Sequence, residues 1–414
     1  MISVDEAQQI ILGAVKPMPM ERIGLDRALG RTLAETIQSP MDHPPWDASA
    51  MDGYAVRCED LRTASRERPC RLEVVETVLA GQMPQCKIGP GEACRIMTGA
   101  PIPAGADAVV MIEATRQVGH GVDVLEAVEM GEDIRYRGEA LRLGEKILDP
   151  GIRIRPAEIG LLASIGKSLV SVFQRPRVAI LATGDELADL DALRGASQIY
   201  NSNGHALAAQ VEEAGGLPMN LGIARDDPEA LRQKLRDALN ADLIVVAGGV
   251  SVGDADRVRE VSTALGADMR LWKVAMKPGH PLAFGLIAGR PMFGLPGNPV
   301  SAMVTFEQFV RPSLLRAMGR CDIFRPTLSA TLSETLHKKP GRRHFVRAVI
   351  SWQGGGYAVR STGDQGSGIL KSMVAANGLI LLPEAVSHIP AGERVAVQLL
   401  SDIPTPTAPP ACHL

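Results

Sequence analysis

The spacing of apolar residues changes character along the chain, and each change predicts a different kind of element. At the start, Ser3 and Glu6 make a capping box, and Ala7, Ile10, Ile11, Ala14 and Val15 recur at helical spacing, which predicts an opening helix. A second short helix is expected to start at Pro156, where proline is tolerated in the first turn, and to stop near Gly166. Between them the chain is dense in Gly and Pro with short β-type runs such as Ala108-Val109-Val110-Met111-Ile112, so residues 46 to about 140 read as a mainly β module.

From Arg177 the pattern becomes an alternation. Arg177 to Ala182 is a short apolar run ending in Thr183-Gly184-Asp185-Glu186, and a helical segment runs from about Asn203 to Gly215-Gly216. Leu217 to Ala224 reads as the next strand. Asp227 is placed to cap a helix with Pro228 at its first position, and Leu243 to Ala247 is a third strand that breaks into Gly248-Gly249. Apolar strands alternating with helices predict a parallel, doubly wound sheet covered on both faces. A long helix should follow Pro296-Gly297-Asn298-Pro299, with Met303, Phe306, Val310 and Leu314 on one stripe and Pro312 marking a kink or its last turns. Beyond Arg325 helices are expected to stop, and short runs separated by Gly-rich turns indicate a small β-barrel or sandwich up to about Leu400. The Pro- and Ala-rich tail, residues 405–414, reads as disordered.

Composition narrows the class. The chain has 414 residues, 45% of them hydrophobic but only 3% aromatic, so its cores must be aliphatic and its length suits about two to four domains. A formal net charge of -3 argues against nucleic-acid or polybasic membrane partners. There is no apolar run of about eighteen residues to span a membrane, and MISVDEAQQI lacks the basic start of a signal peptide. The cysteines (Cys58, Cys70, Cys86, Cys94, Cys321 and Cys412) are scattered, with no CxxC pair and no histidines at ligand spacing; this suits reduced thiols in a cytoplasmic protein without a zinc cage.

Candidate chemistry gathers where the strands end. Asp185 and Glu186, Asp226 and Asp227, and Asp254 and Asp256 each follow an apolar run, and open parallel sheets bind ligands outside the carboxyl ends of their strands. Glycines there allow close approach of phosphate, and carboxylate oxygens suit Mg²⁺. Any one of these acids is equally well read as a helix cap. Lys273 and Lys277, four apart between Gly- and Pro-rich turns, fit either a solvated pair or an oxyanion site. The helix after Asn298 offers free N–H groups to an anion or to water. The loop Pro44 to Ala55 carries Trp46, Asp47, Met51, Asp52 and Tyr54, a rich content that fits a binding role or packing under the β module.

These segments together resemble the molybdopterin molybdenumtransferase family, of the MoeA and gephyrin E-domain type. The matching motifs are PPWDASAMDGYAV at 44–56, MTGAPIPAGADAVV at 97–110, TGDEL at 183–187, QIYNSN at 198–203, GGVSVGDAD at 248–256, KPGHPLAFG at 277–285, GLPGNPVSA at 294–302, GRRHFVRA at 341–348 and DQGSG at 364–368. They occur in family order over nearly the whole chain. The resemblance implies a multidomain α/β protein. An N-terminal linker module (1–45 with 141–175) and a mainly β module (46–140) would precede a central doubly wound molybdopterin-binding α/β domain (176–324) and a C-terminal β-barrel (325–404).

It further implies a homodimer in which molybdate is inserted into adenylylated molybdopterin, with Mg²⁺ required and AMP released. The product would pass to molybdoenzymes or their chaperones. Carried over, Asp52 and Thr98 would reach in from the partner subunit; Glu186, Lys273 and Lys277 would be catalytic; Glu186 and Asp256 would hold the metal. Asp185, Asp226, Asp227, Gly248, Gly249, Ser251, Asp256, Pro296, Asn298, Pro299 and Ser367 would contact substrate. Two positions depart from the family: Ala140 stands where it commonly has Asp, which Glu139 would have to replace, and His280 stands where a third lysine is frequent. The alternatives are a molybdopterin adenylyltransferase, which shares a GGVSVGD-like segment but is normally a single α/β domain, and a non-catalytic scaffold.

Overall fold

In the computed structural model the chain is described over residues 1–249 and 255–403, without the side chains of 255–257 and 272. The expected tail and Ser251 lie outside the described residues. A six-stranded sheet forms the centre, in the order Leu217–Ala224, Arg177–Thr183, Leu243–Ala247, Arg290–Leu295, Pro281–Ile287 and Asp268–Lys273. Its first four strands are mutually parallel. Along Arg177–Thr183 the side chains alternate between two cores. Val178 and Ile180 pack with Leu207 and Val211 of the helix Ser202–Glu213, while Ala179 and Leu181 pack with Leu231 and Leu235 of the helix Pro228–Ala238. Burying a Leu or Ile side chain fully is worth about 1.5–3 kcal/mol, and this alternation gives both faces of the sheet that benefit.

The expected all-parallel sheet is corrected at one place. Pro281–Ile287 runs antiparallel to Arg290–Leu295 and to Asp268–Lys273. The chain reverses at Ala288 (φ 48) and Gly289 (φ 76), which both take positive φ, the two-residue hairpin turn that matches strand twist. The opening helix is Val4–Ala14, with the Ser3–Glu6 capping box formed, but Ile10 faces out while Val4, Ala7 and Ile11 are buried. That buried face packs into the core of the central sheet. The long helix is continuous from Pro299 to Ala317 but carries a π turn at Phe306–Val310, immediately before Pro312, whose missing N–H cannot serve an i–4 carbonyl.

The β module is a six-stranded sheet built around Gly53–Val56, Glu92–Ile96 and Cys70–Val78. At the other end, Thr327–Leu332, Arg343–Gln353, Gly356–Ser361, Gly378–Leu382 and Arg394–Leu399 close on themselves as a barrel. Helices do not stop at Arg325 as expected: Leu370–Ala375 is a short helix with only Ser372 buried. Met276–Lys277 leaves the central domain and pairs with Arg343 and His344 of the barrel. Among the described residues no helix is long and apolar enough to cross a membrane.

Candidate active site

From Arg177–Thr183 the chain passes first to the strand on one side and then to Leu243–Ala247 on the other. Strand order therefore reverses between them, the place where open α/β sheets bind ligands. A cleft of about 650 Å³ opens there, lined by Thr183, Glu186, Asp226, Gly248, Gly249 and Asn298, among others. Its floor requires glycine. Gly248 (φ 96) and Gly249 (φ 67) take left-handed backbone, and a Cβ on Gly248 would stand 2.6 Å from the Thr183 carbonyl. Among the described residues, the Thr183 hydroxyl and the Asn203 Oδ1 are buried without a hydrogen-bond partner, although the Asn203 Nδ2 donates to the Gly297 carbonyl at 2.7 Å.

The acids divide by role. Glu186 is exposed at the cleft and no cation pairs with it among the described residues. Asp185 accepts the Asp226 N–H at 3.1 Å, which shapes the turn. Asp227 caps its helix by accepting the Ala230 N–H at 2.7 Å. Asp226, the other member of that pair, lines the cleft. Asp227→Ala should therefore cost about 1 kcal/mol of stability through the lost cap, read by chemical denaturation, while turnover stays near that of the parent. A large loss of turnover would return Asp227 to the substrate. Asp254 and the Asp256 side chain lie outside the described residues.

The helix N-terminus has less to offer an anion than the sequence suggested. Pro299 has no N–H, and the Val300 N–H is taken at 3.0 Å by the carbonyl of Ser367. That bond brings the Asp364–Gly368 loop of the barrel against the cleft, with Gly297, Asn298 and Pro299 in its wall. Pro296 is not among the lining residues.

Lys273, Lys277, Asp52 and Thr98 do not line this cleft. Lys277 faces a second cavity of about 890 Å³, between its own turn and the barrel. The inner wall of that cavity holds Arg347, which the sequence reading quoted in a motif but gave no role. Arg347 is only 1% exposed, donates to the Ser372 hydroxyl and the Gly366 carbonyl, and makes no salt bridge among the described residues. Burial pushes its pKa down, and the nearby Asp364 carboxylate offsets part of that. A buried cation in a cavity wall suits an anion, and sequence alone hides it because burial is not visible there. His280 donates from Nδ1 to the Val274 carbonyl at 2.9 Å. Glu139 accepts the Tyr136 N–H of its own turn at 2.8 Å, so that bond holds it locally.

Asp52 sits on the β module and accepts both the N–H and the hydroxyl of Thr98, at 2.7 and 2.8 Å. Those two bonds hold its carboxyl below the usual range. Met41, Trp46, Met51, Met130, Tyr136 and Leu143 are exposed, on the same module and on segments joined to it by the His43–Leu141 and Ser49–Ile134 pairings.

Comparison with known proteins covers the whole arrangement. Three family models match in order: the MoeA N-terminal region (domain I and II) over residues 2–166, a probable molybdopterin binding domain over 179–316, and the MoeA C-terminal region (domain IV) over 329–400. The chain is 38% identical to a molybdopterin molybdenumtransferase of Nostoc sp., across 96% of this chain and 93% of that one. It is 39% identical to molybdopterin molybdenumtransferase 2 of Mycobacterium tuberculosis, across 96% and 99%. A solved structure of a molybdopterin biosynthesis MoeA protein from Pyrococcus horikoshii superposes with a TM-score of 0.83 at 34% identity, covering 97% of this chain and all of that one.

Proposed function

This chain belongs to the MoeA family of molybdopterin molybdenumtransferases, and we propose that it inserts molybdate into adenylylated molybdopterin with release of AMP, in molybdenum cofactor biosynthesis. The observation that carries the reading is the cleft at the strand-order reversal, where a glycine floor for phosphate lies beside an unpaired carboxylate. The alternative of a single-domain adenylyltransferase does not account for the β module and the barrel. Ala140 in place of the family's common Asp favours the scaffold alternative, but Glu186, unpaired among the described residues, and the glycine floor are features a scaffold does not need.

The donor set fits Mg²⁺. Hard carboxylate oxygen from Glu186, joined by substrate phosphate oxygens, is the ligation this ion takes, and no cage of three or more protein ligands is present among the described residues. Asp256 is the further ligand expected from the resemblance. Bound there, Mg²⁺ would neutralise phosphate charge as the phosphoanhydride breaks. The chain's own groups do the rest. Gly248 and Gly249 admit the phosphates against the backbone, and Asp226 and Asn298 border the ligand. Lys277 and Arg347 attract molybdate from the barrel side, across the Asp364–Gly368 loop that separates the two cavities.

The site is completed by a second copy. Asp52 and Thr98 stand on the β module, outside the cleft of their own chain, and the exposed apolar residues of that module, such as Trp46, Met51 and Tyr136, suit a protein surface rather than water. The test is AMP release from adenylylated molybdopterin with Mg²⁺ and molybdate, then reconstitution of a cofactor-free molybdoenzyme. AMP together with acceptor activity is the expected result. An intact substrate with molybdate and also with tungstate would overturn the proposal.

A further inference from the structure

The barrel-side cavity is larger and chemically richer than capture of an oxyanion requires. Lys277, Lys338, Lys339, Arg342 and Arg347 line it and, among the described residues, no Asp or Glu does, in a chain whose net charge is -3. The excess of cations is therefore local. Lys338 spends its ammonium on the carbonyls of Arg342 and Glu384, but Lys339 and Arg342 at the mouth make no described ion pair or side-chain hydrogen bond. Burial, and after it the charges of Lys338, Lys277 and Arg342, push the pKa of His344 in the same lining down to about 4, so its ring is neutral at physiological pH.

The same lining carries apolar side chains, Leu336, Pro340, Phe345 and Leu382. The His337 ring joins them, stacked on His388 at 5.8 Å between centroids and 17° between planes. A hydrated tetrahedral oxyanion gains nothing from such apolar surface. Its volume of about 890 Å³ lies instead in the range of pockets that take organic ligands of drug or cofactor size. Cations and apolar surface with a stacked ring in one lining describe a site for a molecule with an anionic end and a flat apolar body.

We infer that this cavity binds an organic phosphate of nucleotide size, its phosphate held by Lys339 and Arg342 and its flat body laid against Leu336, Pro340 and His337. The Arg342 guanidinium supplies the planar fork that phosphate oxygens accept bidentately, and Lys339 adds a point charge. The site is separate from the cleft and does not depend on the reaction proposed for it. The loop Asp364–Gly368 runs between the two, with Gln365 in one lining and Gly368 in the other.

Calorimetric titration of the full-length chain with AMP, adenosine and inorganic phosphate tests this directly. AMP should bind at least about tenfold more tightly than either fragment alone, because only AMP uses both the cationic and the apolar parts of the lining. The double variant Lys339→Gln/Arg342→Gln should weaken AMP by at least about tenfold with an unchanged Tm, since neither side chain supports the fold. Inorganic phosphate binding as well as AMP would overturn the organic-ligand assignment. AMP affinity unmoved by the double variant would place the nucleotide elsewhere, and no heat up to millimolar AMP would mean there is no such site.

Discussion

Replacing Glu186 by Gln should lower AMP release by roughly a hundredfold or more, the scale seen when a preorganised charge at the reacting centre is removed, while the melting temperature stays unchanged. The two halves of that expectation come from the same observation. Glu186 is exposed, lines the cleft and makes no ion pair among the described residues, so its charge does nothing for the fold that water does not already do. Exposed substitutions of this kind usually move stability by less than about 0.5 kcal/mol. Gln keeps the shape and one acceptor oxygen but loses the charge that would hold Mg²⁺ beside the phosphates. AMP is quantified by chromatography at saturating substrate, and folding is followed by thermal denaturation of the same preparations. Turnover within a few-fold of the parent would remove Glu186 from the metal, and a lower Tm would make it structural.

How far the sequence carried depends on what kind of information each feature needs. Elements set by local chemistry were legible. The Ser3–Glu6 box, the Asp227–Pro228 start and the apolar strands Arg177–Thr183 and Leu243–Ala247 all form where spacing and capping place them. The antiparallel strand was not, because a hairpin through Ala288-Gly289 depends on an alanine accepting positive φ, which strand pairing imposes and local preference does not. The site was legible as a set of motifs but not as a geometry. Asp226 and Asp227 are neighbours with equal chemistry, and only the fold shows one lining the cleft and the other capping a helix. Lys277 was expected beside the carboxylates, yet its strand pairs with the barrel and turns it into a different cavity. Arg347 had no signal in one sequence, because a buried arginine in a strand reads like any exposed one until its neighbours are known.

A mixed dimer provides the second large effect. If each site takes Asp52 from one subunit and Glu186 from the other, Asp52→Ala and Glu186→Gln each destroy both sites of their own homodimer. A heterodimer of the two variants is different. One site combines both lesions, and the other combines the intact Asp52 of one chain with the intact Glu186 of its partner. Co-expression with two affinity tags and sequential purification isolates that species. It should recover about half of the parent's AMP release per dimer, from a background near zero, because an isologous pair carries two equivalent sites and one is restored. Three features lead to this expectation: Asp52 does not line the cleft of its own chain, Thr98 holds it ionised at the surface, and its module exposes Trp46, Met51 and Tyr136. A heterodimer as inactive as its parents would mean that both groups act within one chain. An Asp52→Ala homodimer with full activity would mean that Asp52 is not part of the site at all. Recovery to half requires two subunits sharing one reaction, and no arrangement within a single chain produces it.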